Sequence, residues 1–229
     1  IMKDLQQETD PGGCNKVNPT IRRYYGEIRY ADEELGRIVK DLKSRNLYDE
    51  TTIVLTADHG ELFSDHHTYE ANGVYGVKYG HGMTHFEEEI KVPYIIKPAK
   101  SIQNKILFKK FEKSVSLLSL TPTILGLSNV DFHKKDFKGF DYSKSMFGET
   151  FAVEDSIFTE GRLSESVRTE KIKYVRFYPA YTNSQLAGRY LYDSELDELY
   201  DIEHDPDEKQ NLAKESSFFV LAEKELDKH

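Results

Sequence analysis

Apolar residues at Tyr24, Ile28, Ala31, Leu35, Ile38 and Leu42 recur at alternating spacings of four and three, which lays one apolar stripe along a helix. Asn18 suits the N-cap and Pro19 the first helical position, so the helix is expected to begin there and to bury its stripe against a sheet or another helix. The pattern then changes. After a turn around Asn46 to Glu50, Thr51 to Ala57 is a β-branched, apolar run without alternation, as in a strand buried on both faces of a parallel sheet. Residues 62–89 are rich in His, Gly, Tyr and acidic side chains. A stretch that polar predicts a long loop, and such loops are usually functional or disordered.

An apolar run returns at Val92 to Ile96, with Pro93 at the start of a second strand. Residues 111–127 read as helical pieces, with Thr121 as N-cap and Pro122 at the first position of the second piece. Beyond a loop-like stretch over 128–150, short strands are expected at 156–160, 166–169, 171–178 and 195–200, forming a small antiparallel sheet, and a last helix at 215–227. The polar start, with Pro11, Gly12 and Gly13, reads as a loop. The expected organisation is a connection over 1–17, the α/β part of a domain over 18–128 and a small α+β subdomain over 129–229.

Composition narrows the classes. With 229 residues, 38% hydrophobic and 31% charged, the chain can bury one sizeable core. No stretch reaches the ~18 uninterrupted apolar residues of a membrane span; the most apolar neighbourhood, Val115 to Leu127, is broken by Ser, Thr and Pro122. A net charge of −9 argues against nucleic-acid binding, which needs clustered Lys and Arg. The one basic cluster, His133 to Lys138, is interrupted by Asp136 and reads as a solvated loop. Cys14 is the single cysteine, which excludes an internal disulfide framework or a CxxC motif. The chain opens on Ile1 with no signal segment after it, and its start looks like an internal point of a longer polypeptide.

Candidate chemistry collects at the end of the first expected strand. Asp58 and His59 offer one oxygen and one nitrogen donor, and Gly60 lets the backbone turn sharply after them. They read either as two ligands of one ion, or as a strand-ending Asp that caps the next turn beside a surface His. His59, His66, His67, His81 and His85 fall within one polar stretch, a concentration that fits metal binding or work on an anionic substrate. His81 is the leading candidate because Gly80 and Gly82 flank it. Lys78 could contact an anionic group, or be an ordinary surface lysine.

Several segments match a known pattern in order. "YYGEIRYADEELGRIVKDL", "TTIVLTADHGELFSDH", "YGHGMTHFEEEIKVPYII", "SVSLLSLTPTILGL", "SVRTEKIKYVRF" and "ELYDIEHDPDEKQNLA" together resemble the C-terminal half of sulfatases, members of the alkaline-phosphatase-like superfamily. DHG alone is also found in phosphoglycerate mutases and phosphodiesterases of that superfamily; the six segments in sequence are more specific. Ser119 stands where the family often has Asp.

The resemblance implies an α/β fold, an alkaline-phosphatase-like parallel sheet flanked by helices and present in part, followed by the small antiparallel sheet. It also implies one divalent ion, usually Ca²⁺, held by two Asp of an N-terminal half and by an Asp-Asn or Asp-His pair that Asp58 and His59 match. A His ligand leaves Mn²⁺, Mg²⁺ or Zn²⁺ open. His81 would donate to the substrate or its leaving oxygen, with Lys78, His85 and His66 as further substrate contacts. The family's nucleophile, a formylglycine made from a C/S-x-P-x-R motif, has no match here, because Cys14 is followed by Asn15, Lys16, Val17 and Asn18. The expected partners are therefore a small-molecule or carbohydrate sulfate ester and the N-terminal half of the same protein. A phosphodiesterase, phosphonate hydrolase, phosphoglycerol transferase or phosphoethanolamine transferase, or a non-catalytic binding domain, are the alternatives. Related bacterial enzymes are often exported, which implies a periplasmic or secreted location.

Overall fold

The computed structural model describes residues 18–63, 67, 69–71, 74–77, 79–108, 110–149, 154–161, 164–177 and 197–213. Cys14, His66, Lys78 and the helix expected at 215–227 lie outside the described residues. The chain divides into two compact units, Ile1–Ile53 with Ala99–Ser101, and Val54–Pro98 with Ile102–His229.

In the first unit, helix α1 (Pro19–Ser44) starts as its sequence dictates: Asn18 Oδ1 accepts the Thr20 N–H at 2.8 Å and Pro19 takes the first turn. It stops where Arg45 N–H closes on the Asp41 carbonyl and Asn46 turns left-handed at φ 56. The expected burial of its stripe is not found. No residue of α1 is buried, and Ile38 is 57% exposed. Among the described residues of this unit, residues 45–53 and 99–101 are all that stand outside the helix and its N-cap to cover it.

Strand β1 (Ile53–Thr56), in the second unit from Val54 onward, and β6 (Tyr94–Lys97) pair as a two-stranded sheet. Pro93 sits just before β6, where its missing N–H costs no ladder bond. The run ending at Ala57 is a strand but not one buried on both faces, since Leu55 on β1 is 41% exposed and Ile95 on β6 is 55% exposed. The stretch expected as one long loop is folded in part. Strand β2 (Leu62–Phe63) pairs antiparallel with β5 (Tyr79–Gly80), and β3 (Tyr69–Ala71) with β4 (Val74–Val77). The apolar anchor is Leu62, fully buried in a cluster with Phe86, Tyr200 and Ile202.

A short helix, α2 (Glu87–Ile90), precedes β6, and α3 (Leu120–Leu127) follows a 3-10 turn over Leu117–Ser119. Thr121 is not the N-cap: Ser116 Oγ accepts the Leu118 N–H at 3.2 Å instead, and the turn runs straight into α3. Pro122 is then the third residue of α3, still in the first turn, where no helical acceptor waits for an N–H.

The C-terminal strands form one antiparallel sheet in the order β10 (Glu198–Asp201), β9 (Ile172–Phe177), β8 (Ser164–Arg168), β7 (Ile157–Glu160), close to the spans expected. Tyr174, Val167 and Leu199 pack as its core. Neighbouring residues on a strand point to opposite faces, so Lys173 leaves this core and enters the side facing residues 85–89. Its ammonium, fully buried, donates to the His85 carbonyl at 2.6 Å and pairs with Glu87 at 3.2 Å and with Glu208. Arg168 Nε donates to Glu87 at 2.8 Å, and Glu208 accepts the Glu87 N–H at 2.7 Å. Glu208 holds a left-handed φ of 54, uncommon for a residue with a Cβ; its bonds to Lys173 and to the Glu87 backbone offset that cost.

Candidate functional site

Thr56 ends β1, and Asp58 and His59 follow within three residues. The turn is held from below by α2: Gly60 N–H donates to the Glu89 carbonyl at 2.6 Å and Glu61 N–H to the Glu88 carbonyl at 3.0 Å. A Cβ at position 60 would run into the Glu88 carbonyl oxygen, so this close approach requires glycine.

His59 Nδ1 lies 2.7 Å from the Gly60 carbonyl. A carbonyl only accepts, so Nδ1 carries the hydrogen and Nε2 is left as the free nitrogen. That same contact, joined by the nearby carboxylates of Asp58 and Glu61, raises the His59 pKa above its ordinary 6.5. Asp58 is exposed and accepts the His59 backbone N–H at 3.0 Å, which holds its carboxyl below the usual range. Its Oδ2 stands 3.6 Å from His59 Nε2. Two ligands of one tetrahedral ion at bonds of ~2.1 Å lie about 3.4 Å apart, so this pair can close on a cation with little movement.

The second arm is the turn after β5. Gly80 and Gly82 have φ of 139 and 82, conformations that glycine adopts without cost, and they turn the chain so that His81 stacks on His59 with ring centroids 4.0 Å apart. His81 Nδ1 contacts Glu61 Oε2 at 2.7 Å, which again leaves Nε2 free. His59, Glu61 and His81 each offer a donor atom within 4.8 Å of the others. A carboxylate holding the far nitrogen of an imidazole is the usual support of a metal-binding histidine, so Glu61 either orients His81 or joins it as a ligand. Glu61 stands two residues after His59, but its spacing of 20 residues from His81 gave no sign of their contact.

The remaining expected residues separate from this group. His85 is 4% exposed, held between Ser164 Oγ at 2.9 Å and Ser166 Oγ at 3.2 Å. Burial pushes its pKa down to about 4, so it is a neutral core imidazole. His67, also buried, stacks on Phe86 at 3.6 Å and its Nε2 meets the Glu208 carbonyl at 3.0 Å. A cleft of about 1400 Å³ runs from Asp58 and His59 past Gly82 and His85 to Arg168 and Arg176. Both arginines are engaged, Arg168 by Glu87 and Arg176 by Glu165 at 2.7 Å.

Comparison with known proteins agrees with this architecture. A family model described as Sulfatase matches residues 3–130, more than half of the chain. A sulfatase of Formosa agariphila is 23% identical over 95% of this chain and 36% of its own length, and arylsulfatase K of Bos taurus is 26% identical over 83% of this chain and 32% of its own. The chain thus spans about a third of the length of these curated relatives. Among solved structures, a protein in complex with its substrate D-glucosamine-2-N,6-O-disulfate superposes with a TM-score of 0.67 at 19% identity, over 98% of this chain and 44% of that one. The phosphonate monoester hydrolase of Agrobacterium radiobacter superposes with a TM-score of 0.64 at 23% identity, over 90% of this chain and 39% of that one.

Proposed function

Because this chain belongs to the sulfatase family, we propose that it supplies the second half of a sulfuric ester hydrolase active site, with Asp58 and His59 on the cation side and His81 on the ester side. The observation that carries the reading is the meeting of His59 and His81 at the end of β1, 4.0 Å apart, each with Nδ1 engaged and Nε2 free.

The residues fit a divalent ion. The His59 imidazole nitrogen beside the Asp58 carboxylate suits Zn²⁺ or Mn²⁺ better than Ca²⁺, which takes oxygen ligands. Such an ion supplies Lewis-acid polarisation of an ester oxygen. His81 Nε2 is the atom in this chain that can carry a proton to the leaving oxygen, oriented through Nδ1 by Glu61. The nucleophile and the other ligands come from further polypeptide of the same protein, which also covers the exposed Leu55 of β1 and Ile95 of β6. A neighbour in fold binds a sulfated glucosamine, which supports a sulfated sugar as substrate, and a periplasmic or secreted location accords with such a substrate.

The test is turnover of 4-nitrophenyl sulfate by the full-length protein with added Mn²⁺ or Zn²⁺. Asp58→Ala and His81→Ala are each expected to reduce it at least a hundredfold; wild-type turnover in Asp58→Ala rejects the cation assignment. A phosphonate or phosphodiester hydrolase is the second reading, favoured by the nitrogen-rich donor set and by the hydrolase neighbour. It predicts faster turnover of a 4-nitrophenyl phosphonate ester than of the sulfate. A non-catalytic binding role predicts no turnover of either ester with any ion.

A further inference from the structure

Glu89 sits on α2, 4% exposed, and every acceptor it brings to the site is used. Its main-chain oxygen takes the Gly60 N–H at 2.6 Å. Its Oε1 takes the Gly82 N–H, and its Oε2 takes the Thr84 hydroxyl at 2.5 Å. One residue therefore holds the position after His59 through its backbone and the position after His81 through its side chain. We propose that Glu89 is a positioning residue that sets the approach of the His59 and His81 rings. The proposal rests on reading those two rings as one site.

Three features favour positioning over ordinary packing. A buried carboxylate is costly unless its oxygens are bonded, and here both are bonded, to donors on the one loop that carries His81. Gly82 at φ 82 has no side chain with which to fix its own place, so an external acceptor must do so. His81 itself is met by the Glu61 carboxylate and Gly80 by strand β2, but beyond them it is Glu89 that accepts both the Gly82 N–H and the Thr84 hydroxyl.

Reach and charge can be separated. Glu89→Asp keeps the charge and withdraws the carboxylate by about 1.5 Å, one C–C bond. Glu89→Gln keeps the reach: its carbonyl accepts from Gly82 N–H and its amide donates to Thr84 Oγ1, since a hydroxyl both accepts and donates. The readouts are the histidine Cε1–H NMR signals, assigned with His59→Ala and His81→Ala, and the Kd for Zn²⁺ by calorimetry. In the wild type, mutual stacking displaces the two ring signals. Glu89→Asp is expected to abolish that displacement and to raise Kd about tenfold or more, the scale of lost outer support at metal sites. Glu89→Gln is expected to retain both.

Wild-type ring signals and Kd in Glu89→Asp overturn the proposal, and so does an equal loss in Glu89→Gln. If Glu89→Asp does not fold, Thr84→Val decides: it removes one of the two anchors and should shift the ring signals part of the way, while unchanged signals overturn the proposal. Should His59→Ala bind Zn²⁺ as the wild type does while the ring displacement still collapses in Glu89→Asp, the metal reading of the site fails and the positioning role stands.

Discussion

An imidazole can hold a cation only when it has lost the competing proton, and at His59 that competition is biased. The Gly60 carbonyl and the neighbouring carboxylates favour the protonated ring, so its pKa is above 6.5. The sign follows: as pH falls, protons displace the ion at His59 earlier than they would at an unperturbed histidine. The apparent Zn²⁺ affinity is therefore expected to drop with a midpoint above pH 6.5, and Asp58→Asn, which removes one source of the bias, should move that midpoint down. Calorimetric titration from pH 5 to 8 checks both; a midpoint below 6.5 in the wild type contradicts the arrangement. At this scale the sequence exposed the histidines but could not sort them. His59 and His81 differ from His67 and His85 only through partners far along the chain, the Glu208 carbonyl for His67 and Ser164 and Ser166 for His85. No local pattern encodes a contact made across 79 or 141 residues.

Strand ends and short turns do the positioning at the next scale. The helix from Asn18 was legible because its apolar positions keep one period over several turns, and the run before Ala57 because β-branched and apolar residues follow one another without a break. Strands β2 and β5 were not, because a two-residue pair has no period to read. The contact between the turn after β1 and α2 is legible only in part: Gly60 stood out as glycine, but not what it approaches. Gly60→Ala would drive its Cβ into the Glu88 carbonyl and force the turn off α2, breaking the Gly60 N–H bond to Glu89. Such overpacking costs about 1–3 kcal/mol, and here the displaced element carries His59. The expected outcome in urea unfolding and Zn²⁺ calorimetry is a loss of stability on that scale together with weakened binding; unchanged values for both contradict the close packing of this turn. Gly82→Ala is the comparison, because a Cβ there meets nothing within 4 Å and only the φ of 82 resists it.

For the unit that carries the site, the decisive feature is that the C-terminal sheet reaches the segment 85–89 through buried charge. Lys173 balances Glu87 and Glu208. Burial pushes Glu87 up, yet Lys173 and Arg168 outweigh it and hold the carboxyl below its ordinary range, whereas at Glu208 burial wins and the pKa is raised. Removing one member of a buried pair costs about 3–5 kcal/mol because the partners are left uncompensated. Lys173→Met should therefore destabilise the protein by about 3 kcal/mol or more in urea unfolding, and a change under about 1 kcal/mol would mean that water reaches the carboxylates. His85, whose carbonyl Lys173 grips, titrates with the same unit. Its pKa falls from 6.5 to about 4 on burial, so the unfolded chain takes up its proton first as pH decreases. The stability it contributes is fully present above pH 6.5 and is lost as pH falls towards 4, at most about 3 kcal/mol at 1.36 kcal/mol per unit. Glu208 works in the opposite sense, so the comparison must be between variants: His85→Asn is expected to be less stable than the wild type at pH 7, with the gap closing by pH 4. A gap that stays constant across that range would mean that His85 is as easily protonated in the folded protein as in the unfolded chain.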